Sequence, residues 1–91
     1  MTYKRGRWVA LEDGAQRVNR TPLGVVILTV VQSGARWRWR WTVKLEQARG
    51  PSHVSAGSER SERKARAQAN EAARAVEQAV RDYRARRAPG R

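Results

Sequence analysis

Along "ARWRWRWTVKLE", residues 35 to 46, bulky apolar side chains and cations alternate one for one. A strand turns successive side chains to opposite faces. The alternation therefore places Trp37, Trp39, Trp41, Val43 and Leu45 on one face and Arg36, Arg38, Arg40, Thr42 and Lys44 on the other. Just upstream, "VVILTVV", residues 25 to 31, is rich in β-branched residues and does not alternate, as in a strand covered on both faces. "QSGA", residues 32 to 35, supplies a turn, so the two runs predict an antiparallel hairpin with strands near 24–32 and 35–46.

The amino-terminal segment "GRWVALE", residues 6 to 12, also carries strand-type residues, and Asp13-Gly14 after it suits a tight hairpin turn. Its return arm, "AQRVNR" from Ala15 to Arg20, is polar and weak, and Thr21-Pro22-Leu23-Gly24 breaks the chain. "QARGPSHVSAGS", residues 47 to 58, mixes Gly, Pro and Ser and reads as a loop that contains His53, with Ser58 as a candidate helix cap. From Glu59 to about Arg87 there is no Gly or Pro and an abundance of Ala, Glu, Gln and Arg, which predicts one long helix. At about 100° per residue, Ala65, Ala69, Ala72, Val76, Ala79, Val80 and Tyr83 form a stripe for the sheet, with Ala73 at its edge. "APGR", residues 88 to 91, ends the helix as a flexible basic tail.

These elements predict an α+β fold: a small antiparallel sheet of three or four strands packed on one long carboxyl-terminal helix, in the order β-β-β-α. Residues 1 to 87 form a single domain. An Ala-faced helix lies close to its sheet, and the tryptophans are the bulk that fills such a core. Their alternative use is a stacking platform for bases. The "VVILTVV" run raises a second matter, because Val26, Leu28 and Val30 are as apolar as Val25, Ile27 and Val31. One helix covers one face. Val26, Leu28 and Val30 are accordingly candidates for self-association in a homodimer, or for contact with an assembly partner.

Charge adds a function class. The chain has 20 Lys+Arg against 8 Asp+Glu, a formal net charge of +12. Codon bias in a GC-rich genome accounts for 17 Arg against 3 Lys but not for the shortage of acids, and an excess of this size draws a protein to polyanions. The strand cations Arg36, Arg38, Arg40 and Lys44 form a ladder spaced roughly 6 to 7 Å apart, matched to a phosphate backbone. Arg63, Arg66, Arg74, Arg81 and Arg84 gather on one flank of the helix, away from Glu71 and Asp82. The purely structural uses of these residues are to blunt a sheet edge and to solvate a helix face.

Other chemistry is excluded by what is missing. With no cysteine and one histidine, the sequence offers no metal spacing, no disulfide framework and no nucleophile-base set, and it carries no phosphate-binding glycine motif. An enzyme is not expected, nor is a cofactor. The apolar run Leu23 to Val31 is too short to span a bilayer and the amino terminus lacks a signal-peptide core, so a cytoplasmic setting is expected.

The order strand, strand, strand, helix with a basic sheet face is similar to the small DNA-binding domains of some phage-type integrases and of plant ethylene-response factors. That likeness implies a sheet laid in the major groove. "SERKARAQANEAARAV", residues 61 to 76, resembles the basic second helix of double-stranded-RNA-binding domains over under a fifth of the chain, which implies duplex RNA. Neither likeness assigns a role to a residue. The expected function is binding of DNA or RNA through phosphate contacts. The alternative is a structural, assembly or regulatory protein that self-associates or binds an acidic protein, encoded by a phage or mobile element.

Overall fold

The computed structural model describes residues 4–22, 24–34, 38–47 and 53–87. They form five strands and one helix: β1 (Val9–Leu11), β2 (Gly14–Arg20), β3 (Gly24–Ser33), β4 (Arg38–Gln47), β5 (His53–Glu59) and α1 (Glu62–Arg87). The strands lie in sequence order in one sheet, and every neighbouring pair is antiparallel. The fold is therefore α+β with five strands rather than three or four.

Both additional strands fall where the sequence is polar. β2 runs beside β3 from Gly14 opposite Val31 to Arg20 opposite Val25, and Glu12-Asp13 makes the turn that precedes it. β5 occupies the segment expected to be a loop, and His53, its first residue, pairs with Leu45. An edge strand needs only backbone partners on one side, so small and polar residues suffice there.

Register fixes the faces, because directly paired residues project to the same side. One row runs Ala15, Val30, Trp41, Gly57; the next Arg17, Leu28, Val43, Ser55; the third Asn19, Val26, Leu45. α1 lies on this side. Val26, Leu28, Val30 and Val43 are fully buried there with Ala65, Ala69, Ala73, Val76 and Val80, and Trp8, Trp39 and Trp41 pack against them half-buried. The helix stripe is thus rotated slightly from the expected one: Ala73 is central, while Ala79 and Tyr83 are exposed. Sequence spacing alone does not show the tilt of a helix on a twisted sheet.

The same geometry corrects the residues expected to self-associate. Val26, Leu28 and Val30 are under the helix and are unavailable to a partner. The face left open among the described residues carries Val25, Ile27, Thr29 and Val31.

α1 also starts later than expected. The Lys64 amide donates to Ser61 Oγ at 3.2 Å, so Ser61 rather than Ser58 caps the helix. Glu62 in the first turn suits the positive end of the helix dipole. Ser58 instead lies in β5 opposite Arg40.

The amino-terminal arm is held by side chains. Lys4 pairs with Arg20, and Val9 with Gln16. The arm thus spends five steps where β2 spends four, and residues 5 to 8 between the two pairings have no strand partner. Gly6 lies in that stretch. Its amide donates to Asn19 Oδ1 at 3.0 Å and its carbonyl accepts from Arg17 Nε at 2.8 Å, so side chains of β2 satisfy backbone groups that the ladder does not. A Cβ on Gly6 would meet the Val18 carbonyl oxygen at 2.3 Å, so the close approach requires glycine. Arg17 Nη1 donates on to Asn70 Oδ1 at 3.1 Å, and Asn19 Nδ2 to Glu77 Oε2 at 3.4 Å, tying arm, sheet and helix together.

Candidate nucleic-acid interface

The β4 alternation puts the cations on the open face. Val43 and Leu45 are buried under α1, so Arg38, Arg40, Thr42 and Lys44 project the other way and are exposed. Among the described residues Arg38 and Arg40 make no ion pair, whereas Lys44 Nζ lies 3.2 Å from Glu46 Oε1 on the same strand. Arg20, opposite Val25 on β2, adds an exposed cation to this face. Arg36 lies outside the described residues.

Around these cations the open face is aliphatic. Val9, Leu11, Val18 and Val54 are exposed, at 63%, 39%, 38% and 60%. Register places all four on this side with Ile27 and Val31: Val18 opposite Ile27, Val54 opposite Lys44, Leu11 opposite Gly14 and Val9 opposite Gln16. The half-buried Trp39 and Trp41 are on the other face, so among the described residues no aromatic ring is available on the open face to stack on a base. Arg and aliphatic side chains on a flat sheet can contact phosphates, sugar edges and thymine methyls.

The helix arginines are elsewhere. Arg63, Arg66 and Arg74 line the seam between α1 and the amino-terminal arm, on the helix side of the sheet. The Arg66 guanidinium lies 5.1 Å from the centroid of the Trp8 ring and is ion-paired with Glu62. Its Nε is buried without a hydrogen-bond partner. Arg81 is exposed farther along α1, and the side chain of Arg84 is outside the described set. The strand ladder and the helix flank are therefore two surfaces separated by the sheet, not one continuous site.

Three residues of the seam had no part in the sequence-based reading. Trp8 lies on the helix side because it precedes Val9, which register places on the open face, and which side of that strand meets the helix was not readable from the sequence. Arg5 and Arg17 come from segments too short and polar to read as part of a charged surface. Among the described residues no group of His, Asp and Glu could hold a metal ion, and no helix is long and apolar enough to cross a membrane. In comparisons with known proteins, no family model, no curated protein and no solved structure matches the chain.

Proposed function

We propose that the protein binds nucleic acid, with the open face of the sheet meeting the phosphate backbone. One observation carries this reading: in a chain of net charge +12, Arg38 and Arg40 stand exposed and without a carboxylate partner among the described residues, on a face that no described element covers. Unpaired surface arginines contribute little to folding. They are suited to forked contacts with phosphate oxygens.

The test is a fluorescence-anisotropy titration of a labelled duplex at several salt concentrations. Counterion release predicts that log affinity falls linearly with log salt, with a slope of about −0.9 per neutralised phosphate on B-DNA. Absence of binding to DNA and to RNA at low salt would exclude the reading. The choice between DNA and RNA is decided by running both duplexes in parallel.

A second reading, self-association, is favoured by the exposed aliphatics Val9, Leu11, Val18 and Val54 on that same face. Sedimentation velocity separates the two: a dimer that persists or tightens at high salt supports it, since apolar burial is not screened.

A further inference from the structure

The seam between the amino-terminal arm and α1 is a second charged surface with a different shape. Two cavities lie along it and share Asn70 as a common wall. The first is bounded by Trp8, Arg63 and Arg66. The second is bounded by Arg5, Arg17 and Arg74, with Glu77 and Asn19 behind them. Five arginines thus meet two carboxylates, and both carboxylates are already engaged: Glu62 with Arg66, and Glu77 with Asn19. Arg5, Arg63 and Arg74 have no such partner among the described residues. Guanidinium groups without a carboxylate beside them are available to phosphate oxygens.

We infer that this arm–helix groove takes a short single-stranded segment of nucleic acid, with a base on the Trp8–Arg66 platform and its phosphates along Arg63, Arg74 and Arg5. The inference rests on the nucleic-acid-binding reading and adds a strand preference to it. Aromatic rings and guanidinium planes both stack unpaired bases, and a basic groove that tracks the backbone is the common partner of such a platform. From Arg63 to Arg74 the helix advances about 16 Å at 1.5 Å per residue, room for a run of nucleotides. Asn70, between the two cavities, offers an amide within the groove; its Oδ1 already accepts from Arg17. A duplex keeps its bases inside the stack and cannot lay one on the half-buried Trp8, so the groove discriminates by strandedness. The open face, without a ring among the described residues, has no such requirement.

The arm is held along this groove by its hydrogen bonds to β2, from the Gly6 amide to Asn19 Oδ1 and from Arg17 Nε to the Gly6 carbonyl, while Trp8, next to the outward-facing Val9, lies on the helix side.

The experiment compares a labelled oligothymidylate with a labelled duplex on the full chain. Arg63→Ser with Arg74→Ser changes two exposed residues and is expected to lower single-strand affinity by about tenfold or more, leaving duplex affinity within about threefold. Arg38→Ser with Arg40→Ser is expected to do the reverse. Trp8→Leu, confirmed as folded by circular dichroism, should lower single-strand affinity by about tenfold; if it does not fold, the arginine pair decides alone. Duplex binding without single-strand binding overturns the groove and leaves the sheet-face reading standing. So does an equal loss on both ligands, or no loss, in the Arg63/Arg74 pair. Failure to bind either ligand overturns both.

Discussion

The indole of Trp41 fills the space that a side chain at Gly57 would need: a Cβ there would lie 2.7 Å from Trp41 Cε2, Cζ2 and Nε1. The two residues face each other across β4 and β5, so the tryptophan covers the edge strand and the glycine admits the tryptophan. Gly57→Val forces the ring or the strand to move. It is expected to lower stability by about 1 to 3 kcal/mol, read as a lower urea midpoint, whereas Ala56→Val, on the exposed side of the same strand, should change it less.

The two sets of aliphatics on β3 are distinguished by substitution. Leu28, fully buried under α1, should cost about 2 to 5 kcal/mol when replaced by Ala. Ile27 projects to the open face, and Ile27→Thr should cost about 1 kcal/mol or less. Chemical denaturation of both variants checks the assignment of faces; equal losses would contradict it.

Asn19 is 3% exposed and joins the arm to the helix. Asn19→Ala leaves the Gly6 amide and the buried Glu77 carboxylate without that partner, at a cost of about 1 to 3 kcal/mol. Hydrogen exchange at Gly6 should accelerate in the variant more than exchange in β3, because the arm loosens while the centre of the sheet does not.

Arg38→Ser together with Arg40→Ser should change stability by less than about 0.5 kcal/mol, as for exposed unpaired residues. On a duplex it should reduce the salt slope by about 2, one for each lost phosphate contact. An unchanged slope would remove these arginines from the interface.

Much of the centre was readable in advance because its residues are large and regular. β4 alternates without exception from Arg38 to Leu45, and Val43 and Leu45 on one side against Arg40 and Lys44 on the other leave one orientation. α1 announced itself by composition. What escaped was held by hydrogen bonds and by fit rather than by hydrophobic pattern. β5 carries Gly57 where the Trp41 indole leaves no room for a side chain, and β2 carries Arg17 and Asn19, which hydrogen-bond to the arm. The non-alternating run of β3 looked equally apolar on both sides, so only register could say that Val26, Leu28 and Val30 go inward. The ladder was legible as residues, but its separation from the helix arginines depends on which face α1 covers.

The sheet joins each strand only to its neighbours in sequence, so it can be complete once Glu59 is available. Its cover comes later, since Val80 follows Glu59 by 21 positions. At about 5 to 20 residues per second, a growing chain needs about 1 to 4 s to make that stretch. Throughout that interval Val26, Leu28 and Val30 are presented by a formed sheet with nothing over them. The nascent chain is therefore most prone to misassociate while α1 is being made, and truncation within α1 should yield aggregates rather than a smaller folded protein.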